Sequence, residues 1–133
     1  MIYYKMAEIE RFSNSQRTIE VLLRNSDLNE KEFGQLYFIE IAPGVTTGNH
    51  YHKNKDEWLI LLQGDVKIIL EDIVTKRREE LAISSRDLDK RIRIPTNIAH
   101  ATINESDRPI LLMEYSTKPF DPDNEDKTAY KVY

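Results

Sequence analysis

The chain has three histidines, His50, His52 and His100, and imidazole side chains can bind metal ions or transfer protons. His50 and His52 lie two positions apart, so on an extended strand their imidazoles share one face. Glu57 follows within a run of large apolar residues, where a carboxylate is costly to bury unless it is paired or binds a metal. Three ring nitrogens and one carboxylate oxygen could therefore converge on one ion, with nitrogens about 2.0–2.1 Å from a zinc ion.

This donor set predicts a divalent metal site with His50, His52, Glu57 and His100 as ligands. Nitrogen and oxygen ligands suit zinc, iron(II), nickel, manganese or copper, and the sequence does not choose among them. The chain has no cysteine, which excludes thiolate sites and a cysteine nucleophile. An isolated His-x-His pair also occurs in surface loops, so the prediction depends on the ordered spacing of all four residues.

Short strands must position these side chains, because β-branched and apolar residues alternate between turn signals along the chain. A length of 133 residues suits one domain, and the pattern predicts a single all-β sandwich or barrel. The turn at 53–56 is expected to let the strand of Glu57 run back beside that of His50, with His100 approaching from across the barrel. The predicted strands cover 18–23, 35–41, 57–62, 65–70, 76–83, 90–94, 100–103 and 110–115, and one short helical stretch covers 29–33.

The strand 57–62 is apolar on both faces apart from Glu57, so both faces should be covered. One face lines the barrel interior. Trp58 lies on the other face, where it could pack on a second subunit and make a homodimer, or pack within the chain.

The overall charge argues against two classes of partner. The formal net charge is −4, and the one short basic run is followed at once by glutamates, so no nucleic-acid-binding stripe is expected. No apolar run reaches the length of a membrane span, and the first residues do not resemble a signal peptide. We therefore expect a cytoplasmic protein with a small-molecule ligand, and the absence of cysteine fits a reducing compartment.

Two ordered motifs carry a resemblance to a known superfamily. The first reads Gly-x5-His-x-His-x4-Glu-x6-Gly over 44–64, and the second reads Pro-x4-His-x3-Asn over 95–104. These resemble the two signature motifs of the cupins, and two glycines of the second motif are replaced by Asp89 and Asn97. Asparagine tolerates left-handed backbone better than most residues, so the second replacement is mild. The resemblance implies a double-stranded β-helix, or jelly-roll β-barrel, over about 15–118, with a tail at 119–133.

A narrower resemblance follows from short stretches that occur in order at 34–35, 43–46, 48–52, 94–95 and 120–122. Together they are similar to the C-terminal cupin domain of bifunctional capsular-polysaccharide enzymes that act on UDP-4-keto-6-deoxy sugars. They are also similar in outline to small cupins that epimerise or isomerise dTDP-4-keto-6-deoxy sugars. The resemblance implies epimerisation or isomerisation of a nucleotide sugar in polysaccharide biosynthesis.

Proton removal next to a ketone needs a base, and all three histidines are used as metal ligands. Glu114 and Tyr115 lie on opposite faces of one strand, and Tyr115 would face the pocket if Leu111 and Met113 point inward. The pyrophosphate of a nucleotide needs cations, for which Lys53 and Arg93, with Lys55 and Arg91, are the candidates. Two other functions stay open: a metal-dependent iron oxygenase, and a non-enzymatic cupin that binds a small molecule.

Overall fold

The structure is a computed structural model that describes residues 5–16, 18–23, 33–84 and 90–133. The helical stretch predicted at 29–33 lies outside these residues except for its last position. The strands are β1 (Lys5–Glu8), β2 (Glu10–Ser13), β3 (Thr18–Val21), β4 (Gln35–Ile41), β5 (Thr46–Tyr51), β6 (Glu57–Gln63), β7 (Val66–Asp72), β8 (Arg78–Ile83), β9 (Lys90–Ile94), β10 (Ile98–Ile103), β11 (Ile110–Ser116) and β12 (Thr128–Ala129).

Two five-stranded antiparallel sheets face each other. The first sheet has the order β1-β9-β6-β11-β4, and the second has the order β12-β5-β10-β7-β8. Strands β2 and β3 form a separate two-stranded sheet. The all-β jelly-roll barrel predicted from the sequence is confirmed. Within the described residues no helix is long and apolar enough to span a membrane.

The space between the sheets is filled by alternating side chains. On β7, Val66, Ile68 and Leu70 point inward, as the period of two predicts for a strand with one face in the core. Burial of large aliphatic side chains stabilises the fold by about 1.5–3 kcal/mol each. This cluster is completed by Ile41, Leu59, Leu61, Ile83, Ile92, Ile94, Ile98, Ile110 and Leu112.

A second apolar cluster lies on the outer face of the second sheet and is covered by the end of the chain. Val132 packs there on the outward side chains of β7 and β10: Ile69, Ala99, Ala101 and Ile103. Asn49 anchors this segment, because its Oδ1 accepts the backbone N–H groups of Val132 and Tyr133 at 2.8 and 3.1 Å. The C-terminal segment therefore lies against the strand that carries His50.

Left-handed backbone occurs where the motifs place glycine or its substitute. Gly44 and Gly64 have φ of 74° and 96°, and Asn97, which replaces a motif glycine, has φ of 63°. The side-chain amide of Asn104 donates to the carbonyl oxygens of Ile41 and Arg108 at 3.0 and 2.7 Å, and so holds two loops together. The motif positions outside the ligand set therefore have structural roles.

Candidate metal centre

His50 and His100 are brought together by direct strand pairing. They are Cα partners on β5 and β10, and a register shift follows between His100 and Ala101. Gly48 allows the close approach: its φ is 93°, and a Cβ there would lie 2.8 Å from the His100 carbonyl oxygen. The centroids of the His50 and His100 rings are 4.8 Å apart.

Glu57 reaches the site from the opposite sheet, which corrects the expected arrangement. The turn at 53–56 carries the chain across the barrel, so β6 pairs with β9 and β11 and not with β5. His100, expected across the barrel, is instead the neighbour of His50. His52 lies just after β5, and its ring centroid is 4.9 Å from that of His50.

The four predicted ligands converge. One donor atom from each of His50, His52, Glu57 and His100 lies within 4.8 Å of the others. Glu57 is 3% exposed, and its Oε1 is in contact with His52 Nε2 and 3.7 Å from His100 Nε2. The four residues identified by their spacing in the sequence therefore lie close together in the structure.

Hydrogen bonds on the far side of two rings fix which nitrogens face the cluster. His52 Nδ1 contacts the backbone carbonyl oxygen of Asp126, and His100 Nδ1 lies 3.1 Å from the carbonyl oxygen of Ile98. A carbonyl oxygen can only accept, so each Nδ1 carries a proton, and in the neutral form of each ring the lone pair of Nε2 faces inward.

The centre of the cluster is therefore rich in electron pairs. Two Nε2 lone pairs meet Glu57 Oε1, a buried oxygen with no well-aligned hydrogen bond from any described residue. Such an arrangement is unfavourable unless a proton or a cation lies between the acceptors. The donor set fits a divalent ion, and the two carbonyl groups orient the rings as partners behind metal-bound histidines usually do.

Electrostatics separate the three rings. Burial, aided by His100 and His52, lowers the pKa of His50 to about 4. Burial also lowers the pKa of His100. Burial opposes protonation of His52, but contact with the Glu57 carboxylate outweighs burial and raises the pKa of His52. The same contact holds the pKa of Glu57 below its usual value.

Asp126 connects the C-terminal segment to His52. Its carboxylate oxygens accept the backbone N–H groups of Lys53 and Asn54 at 2.8 Å each, while its backbone oxygen contacts His52. Beyond it, β12 pairs with β5, placing Ala129 opposite His50. One residue therefore fixes both the ring of His52 and the backbone that follows it.

A cavity of about 240 Å³ opens over the cluster. Besides the four ligands it is lined by Tyr37 on β4 and Glu114 on β11, which are direct partners in the strand register. Burial and the nearby Glu57 charge raise the pKa of Tyr37, so its hydroxyl remains protonated at neutral pH. The cavity thus contains a buried carboxylate and a phenol beside the metal ligands.

The predicted orientation of Tyr115 is wrong. Ile110 and Leu112 face the core and Glu114 faces the cavity, so Tyr115 points to the other side of β11. Its hydroxyl accepts the backbone N–H of Gly34 at 2.8 Å, and the side chain is 2% exposed. Tyr115 therefore cannot touch a substrate in this cavity.

Two of the predicted cations lie elsewhere. Arg93 forms an ion pair with Asp56, with Nε 3.1 Å from Oδ2, and Arg91 lies over the ring of Trp58 at 5.2 Å. Both arginines occupy the outer face of β9, because Ile92 and Ile94 occupy the inner face. Lys53 and Lys55 do reach the mouth of the site, where they line the cleft beside it.

Sequence reasoning missed two residues that the structure brings to the site. Tyr37 could have been found, because the alternation of β4 puts Tyr37 on the same face as Ile39 and the core residue Ile41. Asp126 gave no signal, because its contact with His52 spans 74 positions and involves only its backbone oxygen.

Comparison with known proteins gives a consistent set of relatives. The family described as polysaccharide biosynthesis C-terminal domain matches residues 24–128. The spore coat polysaccharide biosynthesis protein SpsL of Bacillus subtilis is 24% identical over 92% of this chain and 84% of its own length. A Pseudomonas aeruginosa UDP-2-acetamido-2,6-beta-L-arabino-hexul-4-ose reductase is 25% identical over 94% of this chain, which spans only 32% of that enzyme.

A solved structure shows the same fold. The sugar 3,4-ketoisomerase QdtA of Thermoanaerobacterium thermosaccharolyticum, in complex with TDP, superposes with a TM-score of 0.79 and 18% identity. The superposition covers 96% of this chain and 89% of the ketoisomerase.

Proposed function

Because the chain belongs to the polysaccharide biosynthesis C-terminal domain family, we propose that it epimerises or isomerises a 4-keto-6-deoxy nucleotide sugar. The observation that carries the proposal is the cavity that holds a carboxylate, Glu114, and a protonated phenol, Tyr37, beside the histidine cluster. The relative named as a ketoisomerase supports this chemistry over the oxygenase and the binding-only alternatives, and the relative named as a nucleotide-sugar reductase supports the class of substrate.

The proposed metal ligands are His50, His52, Glu57 and His100. When bound, a zinc, iron, nickel or manganese ion would supply Lewis-acid polarisation of a substrate carbonyl. The protein's part is to present two oriented Nε2 lone pairs and a carboxylate oxygen in a buried, preformed arrangement.

Glu114 is the proposed base, in place of Tyr115. Its carboxylate takes the proton from the carbon beside the ketone, and the electron pair of that C–H bond forms an enolate. Return of a proton to the same carbon from the other face gives the epimer. Return of the proton to the former ketone carbon gives the isomeric ketone. In that case the hydroxyl on the carbon that lost the proton gives its own proton to the former ketone oxygen. Tyr37 lines the same cavity and can donate a proton or hydrogen bond, because its raised pKa keeps the phenol protonated.

Incubation with UDP- and dTDP-4-keto-6-deoxy sugars in deuterated water tests the reaction. We expect deuterium to enter the sugar at the carbon beside the ketone, as detected by mass spectrometry and NMR. Glu114→Gln should slow exchange by about 10²–10⁴-fold, the usual contribution of a general base. Glu40→Gln, the same change at an exposed position of β4, is the matched control and should exchange at the wild-type rate.

Two results would count against parts of the proposal. Absence of exchange with both substrate series would exclude the reaction. Metal stoichiometry near one per chain in His52→Ala and His100→Ala would exclude the ligand set.

We also propose a homodimer, on different grounds from those in the sequence. Trp58 is 3% exposed and is covered within the chain, so it offers no surface to a second subunit. The edge strand β4 instead exposes Leu36 and Phe38, with Phe33 beside them. A second copy could cover this apolar patch and pair the edge. Light scattering should give a dimer mass for the wild type and a lower mass for Phe38→Asp.

A further inference from the structure

The cavity over the histidine cluster is too small for a whole nucleotide sugar. Its volume of about 240 Å³ is below the range of roughly 300–1,000 Å³ that is usual for small-molecule sites. It has room for a sugar ring, so the rest of such a substrate must lie outside the barrel. A second cavity of about 490 Å³ adjoins it, between the turn at 53–55 and the segment 118–128.

We propose that this second cavity, which we call the lysine cleft and define by Lys53, Lys55 and Lys118, binds the diphosphate of a nucleoside diphosphate sugar. The proposal rests on the proposed function for the identity of the sugar, and on the cleft itself for the diphosphate. The two cavities adjoin, because they share the lining residues Lys55, Phe120, Glu125, Asp126 and Lys127.

The cleft contains cations without partners. Lys53, Lys55 and Lys118 form no ion pair or side-chain hydrogen bond with any residue that the structure describes. Two other surface lysines are engaged, Lys67 with Glu105 and Lys76 with the hydroxyl of Tyr130. The contrast indicates ammonium groups that are available to a ligand.

The acidic side chains that line the cleft are already engaged. Asp126 accepts two backbone N–H groups, and Glu125 lies 3.4 Å from Lys127 Nζ. Asp121 accepts the backbone N–H of Asp123 at 2.9 Å. Four lysines (Lys53, Lys55, Lys118 and Lys127) line the cleft against three carboxylates (Asp121, Glu125 and Asp126), so its formal net charge is +1, in a chain whose net charge is −4.

The order of groups along the two cavities matches a sugar diphosphate. Lys55 lines both cavities, so its side chain lies where the two cavities meet. We place the phosphate nearest the sugar at Lys55 and the second phosphate at Lys53 and Lys118, farther from the cluster. Ammonium groups act as point-charge donors to phosphate oxygens, and such charge-assisted bonds are stronger than neutral ones.

Calorimetry with UDP, TDP and inorganic pyrophosphate on the metal-loaded protein tests the cleft. Lys53→Ala combined with Lys118→Ala should weaken binding of all three by at least about tenfold, because two charge-assisted hydrogen bonds to phosphate oxygens are lost. Both side chains are exposed, so the fold should be retained. The matched control is Lys131→Ala, an exposed lysine outside both cavities, which should bind as the wild type does.

The possible results test the diphosphate site and the proposed reaction separately. Weaker binding in the double variant alone, with unchanged metal content, supports the cleft even if no deuterium exchange is found. Equal affinity in the double variant and the wild type overturns the cleft, and so does an equal loss in Lys131→Ala. A wild type that binds none of the three probes also overturns it, while exchange would still support the reaction. Where exchange occurs, the double variant should raise KM for the nucleotide sugar and leave kcat unchanged.

Discussion

The two halves of the barrel interior are built on the same strands, but they affect the stability of the fold in opposite ways. On β4, β6 and β11 the inward residues at one end are Tyr37, Glu57 and Glu114, and at the other end they are aliphatic. The aliphatic half is close-packed and gains stability from burial. The polar half buries groups that are costly to desolvate and recovers the cost only through hydrogen bonds, ion pairing or a bound cation. One half therefore maintains the fold, and the other half can be specialised for chemistry.

The largest effects are expected from one substitution in each half, which should change stability in one case and metal binding in the other. Ile110 is fully buried in the aliphatic half and packs on Gly64. Ile110→Ala should lower the free energy of unfolding of the metal-free protein by about 2–5 kcal/mol in urea denaturation, with metal stoichiometry unchanged in the folded fraction. His100→Ala should do the reverse, abolishing metal binding with a smaller loss of stability. Loss of metal in Ile110→Ala, and retention in His100→Ala, would contradict the division.

A smaller effect is expected at the edge of the polar half. Asp126→Ala leaves all four ligands in place but removes the carboxylate that accepts the backbone N–H groups of Lys53 and Asn54. We expect metal affinity to fall by about 10–100-fold, the usual cost of losing a group that orients a ligand. Competition calorimetry with zinc measures it, and Asp123→Ala, an exposed aspartate of the same segment, is the control. An unchanged zinc affinity in Asp126→Ala would show that the Asp126 carboxylate does not contribute to the orientation of His52.

The least invasive test is an NMR titration of the metal-free protein. His52 should titrate above pH 6.5, and His50 and His100 below it, with His50 near pH 4. The pKa of His50 is lower in the folded than in the unfolded chain, so its contribution to stability is complete above about pH 6.5 and is lost as the pH falls toward 4. Three rings that titrate together near pH 6.5 would show that the polar half is solvated.

The sequence was informative where spacing and alternation carry the information. The barrel follows from the alternation of β7 and β9, and the positions of the four donor residues follow from motif spacing. Tyr115 was placed on the wrong face because β11 is apolar on both faces, so its phase is set only by pairing with β4 and β6. The route of Glu57 was wrong because a four-residue turn can close a hairpin or cross between sheets.

Arg93 illustrates an inference that the alternation already opposed. Ile92 and Ile94 point into the core, so neighbouring positions on β9 point away from any cavity between the sheets. Lys53 and Lys55 precede β6 in a loop that no periodicity governs, and only the fold shows that they meet the segment at 118–128.

The contact between His52 and Asp126 has a consequence for the order of folding. It joins positions 74 residues apart, and the pairing of His50 with His100 joins two strands that are also far apart in the sequence. Contacts of such long range form after local hairpins such as β7–β8, because closing a long loop costs more conformational entropy than closing a short one. We expect the barrel to assemble around its aliphatic half and the ligand geometry to appear last. A chelator added during refolding should therefore leave the refolding rate unchanged.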